Sequence, residues 1–271
     1  MVKEDLAVGR VASIDNMQDQ NNTLYITGAG VSAESGIPTF RGQDGYWTIG
    51  SVNYTPQEMA TRSMYVNNPE EFLLWYFRRF ASYRHVSPNI VHHFLSDKKL
   101  ITQNVDGLDG KAGNPNYIPI HGRLDKALYF EDMSILCDLI DAPWDEVIKL
   151  TSDIDNDEEV KKNLLNVFKI SNQTKKPELR KSLRPFILLF DEYYTDQYRM
   201  TEAETWMSNA NHFVFMGTSF SVNITNIALR FALQNEAKIE IVDPDPIELG
   251  IQGISYHKLK ARDYIKDNFT S

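Results

Sequence analysis

The last third of the chain alternates between apolar runs and segments in which apolar residues recur at helical intervals. Residues 186–190, 213–216 and 238–242 are rich in apolar and β-branched residues and predict buried strands. Between the last two of these strands, helical spacing is seen at Ile224, Ile227, Ala228 and Phe231. Strand, helix and strand in succession predict a parallel sheet with helices on both faces.

The first half of the chain adds further strands and helices. Residues 23–27 are apolar and β-branched and run into a glycine turn, so they predict a buried strand, and residues 99–102 predict another. Ser32 is expected to cap a short helix after the glycine turn. Asn68 and Pro69, followed by two glutamates, are typical of a helix start.

Two segments interrupt this order. Residues 39–55 contain several glycines and aromatic residues without a clear period and predict a long, functional loop. From 123 to 183 the pattern is mostly helical. We therefore expect an α/β, Rossmann-like domain with a parallel sheet and a small, mainly helical domain. Their residues would be 1–45, 85–122 and 184–271 for the first, and the insertions 46–84 and 123–183 for the second.

Composition excludes several classes of protein. The chain of 271 residues has 28 Lys+Arg against 37 Asp+Glu, a net charge of -9, and one cysteine. One cysteine forms no internal disulfide and no multi-cysteine zinc site. An acidic chain without a basic run is a poor candidate for nucleic-acid binding. The absence of a signal-peptide pattern and of ~20 consecutive apolar residues predicts a cytoplasmic protein without a membrane partner.

The glycine turn carries candidate chemistry. Residues 28–33, GAGVSA, fit the pattern G-x-G-x-x-(G/A) after a strand, which lets a dinucleotide pyrophosphate approach the backbone. An ordinary glycine turn is the alternative. The acidic residue expected ~20 positions later at a strand end is missing, because Asp44 lies in the loop. The chain is therefore not a typical dehydrogenase.

Polar residues follow the other predicted strands. Gly217-Thr218-Ser219 stands at a strand's carboxyl end, where open α/β sheets bind ligands. Asp243 could bind ribose hydroxyls or serve only the turn before Pro244. His121 could act as a general base or be a hydrogen-bonded loop histidine. Asn104 and Asp106 could serve turn chemistry alone.

These motifs together resemble those of the sirtuins, the NAD-dependent protein deacylases. The first signature resembles residues 28–42, GAGVSAESGIPTFRG. The second resembles residues 102–108, TQNVDGL, followed by Ala112-Gly113 and His121-Gly122. Residues 217–219 and the strand ending at Asp243 are similar to the third and fourth elements. All four stand in the family's order and cover most of the chain outside 123–183.

The resemblance implies roles for individual residues. His121 would be the general base acting on a ribose hydroxyl, and Asn104 would join it at the catalytic centre. Asp106 would hold the carboxamide of nicotinamide. The NAD-binding set would comprise Gly28, Ala29, Gly30, Ser32, Ile37, Phe40, Arg41, Gln103, Asn104, Val105, Asp106, Gly217, Thr218, Ser219 and Asp243.

Three positions depart from the family pattern. Members usually bind a structural zinc with two pairs of cysteines, whereas this chain has only Cys137. The resemblance therefore implies a zinc-free small domain held by the helices of 123–183. Asp191 stands where the family has glycine beside the acyl-lysine peptide, and Asp109 stands where histidine is common.

Three functions compete on this basis. The first is a lysine deacylase that transfers the acyl group of a protein or peptide to ADP-ribose and releases nicotinamide. The second is an NAD hydrolase or mono-ADP-ribosyltransferase on the same scaffold. The third is a non-catalytic NAD or ADP-ribose sensor, which would need no base at His121.

Overall fold

A parallel sheet forms the centre of the computed structural model, which describes residues 22–39, 54–79, 83 and 85–269. Within these residues the strands are β1 (Thr23–Thr27), β2 (Lys99–Thr102), β3 (Ile118–Pro119), β4 (Gly122–Tyr129), β5 (Ile140–Asp141), β6 (Leu183–Ile187), β7 (His212–Met216), β8 (Lys238–Val242) and β9 (Ile254–His257). Six of them pair in the order β3-β2-β1-β7-β8-β9, and every pair is parallel. The predicted parallel sheet is confirmed.

Helices cover both faces of this sheet. Those described are α1 (Pro56–Met59), α2 (Arg62–Asn67), α3 (Pro69–Arg79), α4 (Ile90–Phe94), α5 (Leu108–Lys111), α6 (Trp144–Leu150), α7 (Asp157–Val167), α8 (Met200–Asn209), α9 (Asn223–Gln234) and α10 (Ala261–Phe269). Successive side chains of β1 point to opposite faces. Leu24 packs in one core cluster with residues of α8 and α9, whereas Tyr25 packs in another with residues of α4 and α10.

A smaller unit lies beside the parallel sheet. Its strands form an antiparallel sheet in the order β5-β4-β6, and its core includes residues of α3, α6 and α7. The expected helices are present, but the three-stranded sheet was not anticipated. The apolar run at 186–190 indicated burial without indicating a partner strand. Its strand, β6, pairs with β4 rather than joining the parallel sheet, and the expected domain boundary at 184 falls inside it.

Aromatic and aliphatic packing stabilises the small unit. Trp144, Phe168 and Tyr65 are almost fully buried in one cluster. The Trp144 indole donates to the Leu124 carbonyl over 2.7 Å, so this buried polar group is satisfied. In the described part of the chain, no group of three or more His, Cys, Asp or Glu side chains could hold a metal ion. The zinc-free small domain stays a prediction.

Long apolar helices do not occur in the described residues: none of the helices there could cross a bilayer.

Candidate functional site

A cavity of about 1380 Å³ opens at the carboxyl ends of the parallel strands and extends to the small unit. Of the predicted site residues, those lining it are Gly28, Ala29, Gly30, Gln103, Val105, His121, Gly217, Thr218, Ser219 and Asp243. Ser32, Ile37, Asn104 and Asp106 do not line it and form a layer behind the wall. Phe40, Arg41 and most of the aromatic loop lie outside the described residues.

Two glycine turns meet at the floor of this cavity. The Gly30 N–H donates to the Gly217 carbonyl over 2.9 Å. A Cβ atom on Gly30 would lie 2.6 Å from the Gly217 Cα, and one on Gly28 would lie 2.8 Å from the Gly217 carbonyl oxygen. Because both clashes are with backbone, neither turn can accept a side chain without moving. The bare backbone at this point fits the close approach of a pyrophosphate.

The prediction of a short helix after the first glycine turn is wrong in the type of helix. The chain makes two 3₁₀ turns, Ala29–Val31 and Ala33–Ser35, and the left-handed Gly36 (φ 86°) ends the second. Ser32 caps neither. Its hydroxyl donates instead to the Asp106 carboxylate over 2.7 Å, because an ionisable carboxylate is the stronger acceptor.

Ser32, Asn104 and Asp106 form one hydrogen-bonded cluster. The Asn104 side-chain amide donates to the Gly28 carbonyl and to the Ser32 hydroxyl, each over 3.1 Å. One Asp106 oxygen accepts from the Leu108 N–H over 2.9 Å, so the turn chemistry considered for this residue is present. The other accepts from Ser32 and ties the turn after β2 to the glycine turn after β1.

His121 is held in one orientation. Its Nδ1 lies 3.1 Å from the Gln103 carbonyl oxygen, which can only accept, so Nδ1 carries the proton. Nε2 is therefore the unprotonated nitrogen, and it lies 3.0 Å from the Tyr194 hydroxyl. Burial lowers the pKa of His121 to about 4. The imidazole is neutral at pH 7 and can accept a proton, which is what a general base requires.

Tyr194 is a site residue that motif reading missed. Its ring stacks on His121 with centroids 5.9 Å apart and an interplanar angle of 19°. It follows β6 by several residues and belongs to none of the four motifs. The only signal for it in the sequence is the adjacent pair of tyrosines at 193 and 194.

The far end of the cavity is polar. The Gln103 side-chain amide donates to the Thr218 hydroxyl over 3.0 Å and joins the ends of β2 and β7. Asp243 follows β8, and one of its oxygens accepts from the Asp245 N–H over 2.9 Å. The turn role considered for Asp243 is therefore real, and the residue also faces the cavity.

Asp191 points away from the cavity. Its carboxylate accepts from the backbone N–H groups of Arg62 and Ser63, over 2.6 and 3.0 Å, in the first turn of α2. The neighbouring Phe190 N–H donates to the Ala60 carbonyl over 2.9 Å. The side chain that replaces glycine thus caps a helix and does not line the cavity.

Asp109 is a buried carboxyl group behind the cluster. It is 1% exposed, and its Oδ1 has no hydrogen-bond partner among the described residues. Burial raises its pKa to about 7, and the nearby Asp106 adds to the rise. In the unfolded chain the pKa of this aspartate is about 3.9. Between about pH 4 and pH 7 the Asp109 carboxyl is therefore more protonated in the folded state than in the unfolded state. Stability therefore falls as pH rises from about 4 to 7.

We expect Asp109→Asn to raise the midpoint of thermal unfolding at pH 7 and above, because the amide carries no charge to bury. The gain should shrink steadily as pH falls towards 4, where the parent carboxyl is neutral in the folded state and has no charge to bury. Asp97→Asn, an exposed carboxylate, serves as the control. A gain that is the same at pH 4 and pH 8 would contradict this account.

Comparison with known proteins places these features in a family. The Sir2 family model matches residues 28–224. The NAD-dependent protein deacylase 1 of Archaeoglobus fulgidus is 44% identical over 108 residues, so the match covers 37% of this chain and less than half, 42%, of that relative. The NAD-dependent protein deacylase 1 of Caldanaerobacter subterraneus subsp. tengcongensis is 28% identical over 92% of this chain and 93% of its own length.

Solved structures give the same result. A Sir2 homologue in complex with NAD superimposes with a TM-score of 0.66 at 26% identity, over 92% of this chain and 88% of that one. A mutant Sir2 homologue in complex with ADP-ribose reaches a TM-score of 0.69 at 26% identity, over 92% and 90%. The predicted resemblance to sirtuins is confirmed, and the chain belongs to the Sir2 family.

Proposed function

We propose that this protein is an NAD-dependent lysine deacylase, which transfers the acyl group to ADP-ribose and releases nicotinamide. The observation that carries the proposal is His121, a neutral imidazole whose unprotonated nitrogen lies beside a glycine-floored cavity. The relatives named above agree with the predicted activity and with NAD as its cofactor. A sensor without catalysis would need no such base.

The binding roles divide along the cavity. We assign the pyrophosphate to the turns at Gly28, Gly30 and Gly217, which line the cavity floor and leave no room for a side chain between them. Thr218, Ser219 and Asp243 would bind the adenosine half. Gln103, Val105 and the Ser32–Asn104–Asp106 cluster would surround the nicotinamide riboside half, together with Ile37. Phe40 and Arg41 keep the NAD-contact roles that the family resemblance implies.

The chain's own groups orient the reactants and move one proton. When bound, NAD supplies the ribose carbon that the acyl oxygen attacks as nicotinamide leaves. Asn104 is held by Gly28 and Ser32, so its orientation is fixed before ligand arrives. His121 Nε2 then accepts the proton of a ribose hydroxyl, and the Gln103 carbonyl stabilises the imidazolium through Nδ1–H.

The acyl-lysine would enter between the two units. Apolar side chains line the cavity there, including Trp75, Ile187 and Leu189. We assign this end to the acyl chain and the lysine stem of a protein or peptide. We further propose that the two domains divide as predicted from the sequence except at β6, which belongs to the small unit. We also propose that the protein works in the cytoplasm without zinc, nucleic acid or membrane.

The test is product analysis with NAD and a panel of acyl-lysine peptides. A deacylase yields O-acyl-ADP-ribose and free lysine peptide only when both substrates are present. Nicotinamide release at the same rate without any peptide would instead favour the NAD hydrolase or ADP-ribosyltransferase. Binding of NAD with no turnover under any condition would favour the sensor.

Asp106→Asn is expected to weaken the inhibition of deacylation by nicotinamide. The Asp106 carboxylate lies behind the cavity wall in the unliganded protein, and the family resemblance implies that it accepts from the amide of bound nicotinamide. Its exchange for an amide places a donor against the Ser32 hydroxyl or the Leu108 N–H. Loss of one hydrogen bond to a charged group costs about 1.5–3 kcal/mol, which is roughly a ten- to hundredfold rise in the inhibitory concentration.

The measurement is nicotinamide inhibition of peptide deacylation at fixed NAD. Asp125→Asn is the matched control, since both oxygens of the Asp125 carboxylate accept from Arg123, outside the Ser32–Asn104–Asp106 cluster. Equal nicotinamide sensitivity of Asp106→Asn and the parent would remove Asp106 from this role.

A further inference from the structure

The lone pair that a general base needs is already occupied in the resting protein. His121 Nδ1 donates to the Gln103 carbonyl, so Nε2 can only accept while the ring is neutral. The group within hydrogen-bond distance of Nε2 is the Tyr194 hydroxyl, at 3.0 Å. It follows that the Tyr194 O–H donates to Nε2. A substrate hydroxyl can reach the same lone pair only when this hydrogen bond breaks.

In the resting protein Tyr194 is protonated, and several contacts position its ring beside His121. Burial raises its pKa to about 12, which keeps the phenol a hydrogen-bond donor at pH 7. The backbone of Ile224, in the first turn of α9, hydrogen-bonds to the phenol and partly opposes this rise. The ring also stacks on His121 and packs against the core under α8 and α9.

The backbone on either side of Tyr194 is anchored. The Glu192 carboxylate, 1% exposed, bonds to the Arg184 guanidinium and accepts from the Leu189 N–H over 3.1 Å. The Thr195 carbonyl accepts from the Tyr198 N–H over 3.0 Å. Tyr193 and Tyr194 stand between these anchors, and both face the cavity. Because the backbone is held on both sides, displacement of the Tyr194 hydroxyl from His121 requires movement of the side chain and not of the loop.

We propose that the Tyr194 hydroxyl holds, in the resting protein, the position that the reacting ribose hydroxyl takes at His121, and that ligand binding displaces it. Tyr194 is then a positioning residue: it keeps the imidazole in the productive tautomer and orientation until the ribose arrives. This inference rests on the proposed function, because it assumes that a ribose hydroxyl is the proton donor to His121.

Calorimetric titration of Tyr194→Phe tests the displacement without any turnover. The variant keeps the stacked ring and removes the competing hydroxyl. We expect NAD and ADP-ribose to bind about two- to tenfold more tightly than to the parent, the range that one neutral hydrogen bond gives. ADP, which lacks the second ribose, should bind equally to both proteins. Tyr194→Leu should change the affinities in the same direction.

Tyr129→Phe is the matched control, because Tyr129 is an exposed tyrosine of β4 whose hydroxyl accepts from Lys169, and it does not line the cavity. It should leave all three affinities unchanged. Unaltered or weaker binding of ADP-ribose by Tyr194→Phe would overturn the proposal, as would an equal gain for ADP. The calorimetric titrations test the displacement of Tyr194, and the deacylase assay tests the proposed activity. If the proposed activity is wrong, the deacylase assay yields no O-acyl-ADP-ribose, whatever affinities the titrations give.

Discussion

Replacement of His121 by alanine is expected to lower the rate of acyl transfer by about 10²- to 10⁴-fold, the usual contribution of a positioned general base. NAD affinity should stay within a few fold, because the pyrophosphate contacts assigned to Gly28, Gly30 and Gly217 do not involve the imidazole. Steady-state kinetics with an acyl-lysine peptide and calorimetry with NAD separate the two effects. His93→Ala, on an exposed histidine of α4, is the control.

The pH profile adds a second check on the same residue. Burial lowers the pKa of His121 to about 4, so the base is neutral throughout the physiological range. The value of kcat/KM should therefore be flat from pH 8 down to about pH 5 and fall only below that. Full activity in His121→Ala, or an inflection near the ordinary histidine pKa of about 6.5, would contradict the assigned role.

Glu192→Ala is expected to lower the free energy of unfolding by about 3–5 kcal/mol, because it leaves a buried charge without its partner. The Glu192 carboxylate is bound by Arg184, whose side chain is 5% exposed, and by Arg62 at 3.3 Å. Arg184 also donates to the Ile187 carbonyl over 2.8 Å, so the network joins β6 to the loop that carries Tyr194. Urea unfolding measures the loss.

The control for this variant is Glu178→Ala. Glu178 pairs with Lys181 in solvent, and such surface pairs contribute about 0–1 kcal/mol. The double variant Arg184→Met with Glu192→Leu should recover much of the lost stability, since two apolar side chains leave no buried charge unpaired. A loss below about 1 kcal/mol in Glu192→Ala would contradict the buried network, because breaking a desolvated pair costs more.

The sequence predicts the parallel sheet well, because alternation of strands and helices is a local pattern. Residues 23–27 and 99–102 are strands as expected, and both end at the cavity. The antiparallel sheet of the small unit depends on pairing of β4 with β6, which are distant in sequence. Apolar content indicated that residues 186–190 are buried but carried no information on their partner. Residues 123–129 lie in a segment predicted to be mostly helical, and they form β4 instead.

Backbone chemistry indicated the positions of the glycine turns. Gly28 and Gly30 were predicted from the need for close backbone approach and Gly217 from its place at a strand end, and the two turns do meet. Side-chain partners were less accessible to prediction. The Ser32 hydroxyl could cap the following helical turn or donate to the Asp106 carboxylate. The sequence does not show that Asp106 lies beside it, because only the fold brings these residues together. Tyr194 reaches His121 across 73 positions, so no local motif contains both.

The central claim, that NAD cleavage is coupled to acyl transfer, is tested most directly by stoichiometry. Purified protein is incubated with NAD and an acyl-lysine peptide, and nicotinamide and O-acyl-ADP-ribose are quantified together by mass spectrometry. We predict equal amounts of the two products, and negligible nicotinamide when the peptide is omitted or carries unmodified lysine. Nicotinamide formed without the peptide, or in excess over O-acyl-ADP-ribose, would contradict the deacylase and point to NAD hydrolysis or ADP-ribosyl transfer.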